Sequence, residues 1–565
     1  MVPDNEHLNR LPGVGIACPA RHITGVENKI PPTALLKMKR FTVAVLVFSC
    51  IVDCAYSAGR MSEDENKHHW LREGQLALRR ANLMRNNYGV AKNVILFIGD
   101  GMGVSTVTAA RIYKGQLDGH SGEETQLYFE KFPYVALSKT YNTDRQTADS
   151  AGTATAFLAG VKANYGTLGV DSRVKQSDCS MMNDTDVNVE TIADWSRRAG
   201  KSTGIVTTTR ITHATIGALY AHTPDRDWEK DSDMRDLNET CVTDIAYQLA
   251  MNGSHFQVLF GGGRRNFFSR DDGLNLTDEW LALQRAAGRN AEYVENLEQL
   301  RSVSLNETDS ILGLFSESHM EYELMRDKSQ EPSISEMTAK AIEVLRKNDK
   351  GFFLLVEGGR IDHGHHATMA KKALTDAIAF DEAVKVAKDM TGEDTLLVVT
   401  ADHSHVFNIA GYPKRGNNIL GLVDPQRATA DGMPYATLVY ANGEPPGGRI
   451  NLTNVDTTAD DHKQARLVPI DGTETETHGG EDVAIYAIGP MAHLFHGVQE
   501  QSYIAYVMGY AACIGPNQDH CQETITTDPT PCTSSAVGSA AEVQSLMTIV
   551  VMVGVLRAVE LFWYM

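Results

Sequence analysis

Asn93-Val94-Ile95-Leu96-Phe97-Ile98, closed by Gly99-Asp100-Gly101, is an unbroken apolar run that ends in a turn carrying an acid. Without polar alternation, such a run reads as a strand buried on both faces, the kind that builds parallel sheets covered by helices. Residues 202–209, 352–356 and 395–400 repeat the pattern, separated by amphipathic, alanine-rich stretches. The spacing predicts an α/β fold: a large, mostly parallel central sheet flanked by helices. Each run closes on polar or glycine-rich residues: Arg210 to Thr215, Glu357-Gly358-Gly359, and Ala401-Asp402-His403. Ligands of open α/β sheets bind beyond the carboxyl ends of the strands, so these closing residues are the candidate site.

Working outward, 63–86 is a charged helical stretch within an N-terminal arm (58–89). The catalytic α/β domain is expected over 90–416 and 477–525, interrupted at 417–476 by a Gly/Pro/Asn/Thr-rich inserted surface subdomain. Met38-Lys39-Arg40, the apolar run 41–52 and small residues near Ala58 have the layout of a secretory signal peptide (38–57), preceded by an upstream extension, 1–37. An uncleaved signal-anchor is the alternative, though the run is shorter than the ~20 residues that span a bilayer. At the other end, a linker and attachment region (526–545) with Ser534, Ser535 and Gly538 precedes an apolar tail, 546–565, in the order of a GPI-anchor signal. The alternative there is a transmembrane helix, opposed by Arg557 and Glu560. The expected location is the secretory pathway and then the extracellular face of the plasma membrane, with the chain held by its lipid.

The formal charge of −20, from 72 acidic and 52 basic residues in 565, argues against nucleic acid as a partner. It does not exclude a phosphate ester, since bound cations reverse the local field. Asn183, Asn238, Asn252, Asn275, Asn306 and Asn451 begin N-x-S/T acceptors. Cys179, Cys241, Cys513, Cys521 and Cys532 belong to the mature region, where an oxidising compartment permits two bridges; none has C-x-x-C zinc spacing.

The chemistry is carried by residues far apart in sequence. In Thr147-Ala148-Asp149-Ser150-Ala151-Gly152, a serine opens a run of small residues whose helix would point backbone N–H groups at a phosphate. Asp362 and His366, four apart, face the same way on a helical turn and suit one zinc, with His478 completing the set. Asp402 and His403 with Asp100 suit a second. Glu357, Thr215 and a shared Asp100 oxygen suit magnesium, which takes hard oxygen ligands. Two zinc ions about 4 Å apart would activate Ser150 and the leaving oxygen. Arg226 is a candidate fork for two phosphate oxygens. Singly, each residue also reads as a cap, a solvated histidine or a surface pair; their joint recurrence at strand ends is what favours a site.

Ile98 to Gly103 (I-G-D-G-M-G), D-S-A-G-T-A-T-A from Asp149, V-E-G-G-R-I-D-H-G-H-H from Val356, T-A-D-H-S-H from Thr400 and T-H-G-G-E-D from Thr477 together resemble the metazoan alkaline phosphatases, from about Trp70 to Cys521. The resemblance implies a phosphate-monoester hydrolase with Ser150 as nucleophile and two zinc ions and one magnesium per chain. It places Asp362, His366 and His478 on one zinc, Asp100, Asp402 and His403 on the other, and Asp100, Thr215 and Glu357 on magnesium. It further implies Arg226 as phosphate clamp oriented by Asp149, His213 and His363 behind the ligands, Cys179–Cys241 and Cys513–Cys521 bridges, a homodimer reached by the N-terminal helix, and a crown-like insert. Thr215 stands where the vertebrate pattern has serine. The vertebrate calcium site is not carried over, because Ser316 replaces an acid after Leu314-Phe315 and the segment after Arg264 is short. Two other readings are a phosphodiesterase or sulfatase on the same sheet, disfavoured by Ser150 with Arg226, and an inactive surface glycoprotein, disfavoured by the intact ligand set.

Overall fold

The computed structural model describes residues 65–235, 241–424, 429–443, 451–469 and 475–522. The signal peptide, upstream extension, attachment region, apolar tail, Asn238 and Cys532 lie outside these.

In chain order the strands are β1 (Asn93–Gly99), β2 (Tyr134–Lys139), β3 (Ser202–Arg210), β4 (Val258–Gly262), β5 (Ala291–Val294), β6 (Ser310–Leu314), β7 (Phe352–Gly358) and β8 (Thr395–Ala401). Then come β9 (Ser404–His405), β10 (Phe407–Ile409), β11 (Leu438–Gly443), β12 (Ala465–Pro469), β13 (His478–Gly479), β14 (Val483–Ile488) and β15 (Val498–Glu500). Ten of them form one sheet in the order β15-β2-β14-β8-β1-β7-β3-β4-β6-β5. From β8 through to β5 every pairing is parallel; β14 runs antiparallel to β8 and β2.

The missing alternation of β1 has a simple cause. Val94, Leu96 and Ile98 enter one hydrophobic cluster with the helices Ser150–Ala159 and Tyr503–Ala512. Ile95 and Phe97 enter the other, with the helices Val104–Leu117, Ile334–Leu345 and Ala370–Met390. Both faces are covered, so every side chain from Val94 to Ile98 is apolar. Full burial of each contributes roughly 1.5–3 kcal/mol.

The register decides what the strand ends bring together. Gly99 pairs with Gly358 of β7 and with Ala401 of β8, so Asp100, Glu357 and Asp402 fall side by side at the carboxyl edge. β10, β11 and β12 form a separate three-stranded sheet whose first strand begins before Gly416. Disulfides join Cys179 to Cys241 and Cys513 to Cys521, with Cα separations of 5.6 and 5.9 Å.

The helix Lys67–Leu83 has no buried residue, and Trp70, Leu71 and Leu78 are exposed on it. Among the described residues, no helix is long and apolar enough to cross a membrane.

Candidate active site

Ser150 is the first residue of a wholly buried helix, Ser150–Ala159, and Asp149 is its N-cap. Asp149 accepts from the backbone N–H groups of Ala151 (3.3 Å), Gly152 (3.2 Å) and Gly166 (3.1 Å), and from Arg226 (3.1 Å). One carboxylate therefore caps the helix and aims the guanidinium at the serine's end of it. Small residues are required here, since a Cβ on Gly152 would lie 1.7 Å from Asn142 Nδ2. Burial opposes the charge of Arg226, but Asp149 and Asp227 outweigh it and push its pKa up. The other edge of the fork, NH2, faces His213 Nε2 at 3.4 Å.

Asp362 and His366 lie one turn apart on the helix Arg360–His366, with His366 Nε2 3.3 Å from Asp362 Oδ1. His478, brought in by β13, places its own Nε2 3.4 Å from that oxygen and 3.0 Å from His366 Nε2. The tautomers follow from the far side of each ring. His366 Nδ1 donates to the Glu476 carbonyl (2.5 Å) and His478 Nδ1 to the Ala148 carbonyl (2.8 Å). Burial holds His366 down to about 4, so that ring is neutral and its Nε2 bare. Two imidazole nitrogens thus point at one carboxylate and at each other, an arrangement that repels itself unless a cation lies between them. The donor set fits zinc.

Asp100 lies beside this group. Both of its oxygens are buried without a hydrogen-bond partner, as is one oxygen of Asp402. Burial, reinforced by neighbouring carboxylates, raises the pKa of Asp100 well above the ordinary value, and burial also raises Asp402. His403 Nε2 stands 3.1 Å from Asp402 Oδ2, 3.6 Å from Asp100 Oδ1 and 3.2 Å from Ser150 Oγ. A buried cluster of unpartnered carboxyl oxygens touching the serine is the complement of a second cation.

Glu357 is also fully buried. One oxygen accepts from Thr207 and Thr209; the other has no partner, and burial pushes the carboxyl up to about 7. Ligand atoms of Asp100, His213 and Glu357 lie within 4.8 Å of one another, and Thr215 is buried in the short helix Ala214–Gly217. The hard oxygens of Asp100 and Glu357 fit magnesium.

Sequence reasoning missed His405 and Glu476. His405 Nε2 binds Asp362 Oδ1 at 2.7 Å while its Nδ1 binds Glu476 Oε2 at 2.6 Å. Burial opposes charge on this ring, yet Glu476 and Asp362 push it up to about 10, making it an imidazolium that fixes the Asp362 carboxylate. The available signal was the second histidine of Asp402-His403-Ser404-His405. Gly101, at φ +67, leaves room for that ring, for a Cβ would sit 2.4 Å from His405 Nε2. Thr207 and Thr209, which read only as strand formers, were missed as well. A fourth group of potential ligands, Cys513, His520 and Cys521, has its sulfurs committed to the disulfide.

Of the glycan acceptors, Asn183, Asn252, Asn306 and Asn451 are exposed. Asn275 is half-buried, and its side chain caps the helix Leu276–Ala286.

Residues 91–514 match the family model described as alkaline phosphatase. The chain is 49% identical over 486 residues to the tissue-nonspecific alkaline phosphatase of Felis catus, covering 81% of this chain and 91% of that protein. It is 47% identical over 485 residues to an alkaline phosphatase of Gadus morhua, covering 82% and 100%. Among solved structures it is similar to the Thermus thermophilus alkaline phosphatase at 24% identity and a TM-score of 0.56, covering 75% of this chain and 92% of that one. The alkaline phosphatase of the Antarctic bacterium TAB5 matches at 22% identity and a TM-score of 0.53, covering 76% and 100%.

Proposed function

Since this chain belongs to the alkaline phosphatase family and is a phosphate-monoester hydrolase, we propose that Ser150 is the nucleophile, that the phosphate becomes bound to it covalently, and that water then releases it. The observation that carries this is the contact of Ser150 Oγ with the cluster of Asp100, Asp402 and His403, beside a guanidinium held by Asp149. Asp362, His366 and His478 would hold one zinc, Asp100, Asp402 and His403 the other, and Asp100, Thr215 and Glu357 a magnesium. Bound there, such ions would lower the pKa of a coordinated hydroxyl and neutralise charge on the transferred phosphoryl group.

The chain's own groups do the rest. Asp149 holds Arg226 where its free N–H groups meet two nonbridging phosphate oxygens. The N-terminus of the Ser150–Ala159 helix adds a positive dipole end at the same place. Glu476 and His405 keep Asp362 from turning, and the backbone carbonyls of Glu476 and Ala148 keep the Nε2 edges of His366 and His478 facing inward. His366 is the more open side of the group, at 26% side-chain exposure against 6% for Asp362, so substrate enters past His366 and Arg226.

The test compares an aryl phosphate with the matching diester and sulfate at alkaline pH. Turnover of the monoester alone is expected; preferential cleavage of the diester or sulfate would sink the assignment.

The signal-peptide, anchor and N-x-S/T readings support a GPI-anchored, glycosylated, extracellular enzyme, and the exposed Trp70, Leu71 and Leu78 support dimerisation through the N-terminal helix. A phosphatidylinositol-specific phospholipase is then expected to release a soluble particle that sediments at twice the chain mass. Retention on membranes, or a monomer, refutes the corresponding part.

A further inference from the structure

Past Arg226 lies a group of donors that the reaction described above leaves unused. His213 packs edge-on against His319 and His363, with ring centroids 5.3 and 5.5 Å away, and the latter two are 4.2 Å apart. His319 Nε2 accepts from Arg210 NH1, so its proton is on Nδ1. That Nδ1 is buried without a hydrogen-bond partner.

Arg360 repeats the pattern. It donates through NH1 to His363 Nδ1 at 2.9 Å and stacks on Tyr322 at 3.7 Å, while its Nε–H is buried and unpartnered. Stacking fixes the plane of the guanidinium and leaves its edge to recognise a ligand. The loop carrying His319 is pinned, with Gly263 N donating to Ser318 O at 2.7 Å and Met320 N to Thr208 O at 3.0 Å. Arg210, His319, Arg360 and His363 are each half-buried, so the group is open to solvent on one side.

Two unmade hydrogen bonds at buried donors, beside two guanidinium groups, call for an acceptor that is anionic. Two of the neighbouring acids do not supply it. Glu229 is committed to Arg210, Thr212 and Asn266, and burial pushes Asp376 up to about 8, leaving it mostly uncharged at neutral pH.

Resting on the assignment of Arg226 to the scissile phosphate, we propose that His319 and Arg360, backed by Arg210, form an accessory subsite for a second anionic group, a phosphate or a carboxylate. The enzyme then favours monoesters whose leaving group carries another anion over those that carry none. A free anion could fill the same donors, and the experiment separates the two sources.

Steady-state kinetics are measured with phenyl phosphate, 4-carboxyphenyl phosphate and 1,4-phenylene bisphosphate, a monoester whose leaving group carries a second phosphate. The substrates with a second anion are expected to show a KM roughly ten-fold lower, the effect of one charge-assisted hydrogen bond. His319→Phe abolishes that advantage and leaves the phenyl phosphate parameters unchanged, while His319→Gln, which keeps an N–H donor, restores part of it. Melting curves of both variants verify the fold.

Sulfate is titrated against phenyl phosphate in parallel. A sulfate effect lost in His319→Phe assigns the subsite to free anions, whereas its absence together with a lost substrate preference assigns it to the substrate. The same substrate ranking and sulfate response in folded His319→Phe as in the native enzyme overturns the proposal. Turnover of phenyl phosphate itself, and its dependence on Ser150, reports on the main reading independently.

Discussion

Ser150→Ala is expected to lower kcat/KM for an aryl phosphate by three orders of magnitude or more, about 4 kcal/mol or more of transition-state stabilisation. The substitution removes only Oγ, whose hydrogen-bond partner is His403 Nε2 at 3.2 Å. The helix cap belongs to Asp149 and the packing of Ser150–Ala159 to Ala151, Ala154, Phe157 and Leu158, so both survive the change. Stability should shift by no more than about 1 kcal/mol, the usual worth of one hydrogen bond. Acid quenching during turnover should trap phosphate on Ser150 in the native enzyme and nowhere in the variant. A folded Ser150→Ala protein that still turns over at the native rate would refute the nucleophile, whatever its metal content. The prediction is sharp because Thr153, the next hydroxyl in that helix, is also buried but turned back to the carbonyls of Asp149 and Ser150.

The same geometry explains what was legible in the sequence. β1, β3, β7 and β8 were readable because strands buried on both faces leave unbroken apolar runs, and their closing acids stood out against that background. The register was not readable. That Gly99 lies level with both Gly358 and Ala401, so that Asp100 meets Glu357 and Asp402, depends on side-chain packing over hundreds of intervening residues. The short β5 and β15 carry too few residues for periodicity to register, as does Phe407–Ile409, the first strand of the separate three-stranded sheet. His405 and Glu476 escaped notice because their roles are indirect. An imidazolium bridging two carboxylates has no spacing rule, whereas ligands four apart on a helix do.

Removing divalent metal with a chelator is expected to abolish activity and to lower the melting temperature by several degrees, with zinc plus magnesium restoring both. A ligand held at a thousand times its Kd stabilises by about 4 kcal/mol, and its removal leaves the Nε2 atoms of His366 and His478 facing each other at 3.0 Å with nothing between. Reloading has a proton signature that activity alone cannot supply. Burial pushes Glu357 up to about 7, so in the apoprotein near pH 6 this carboxyl holds a proton that a cation must displace, and burial raises Asp100 in the same direction. His366, held down to about 4, is already neutral there and contributes none. Titration calorimetry in buffers of different ionisation enthalpy should therefore show proton release at pH 6 that declines as pH rises through about 7, the value of Glu357. Glu357→Gln should remove that part of the release. Release that instead grows with pH, or persists undiminished in Glu357→Gln, would mean that the buried carboxylates are not the groups the metal meets. Glu357→Gln leaves every surface imidazole in place, so loss of the release in that variant, rather than the pH profile, separates coordination in this buried cluster from adventitious binding at surface histidines, whose ordinary range near 6.5 lies close to that of Glu357.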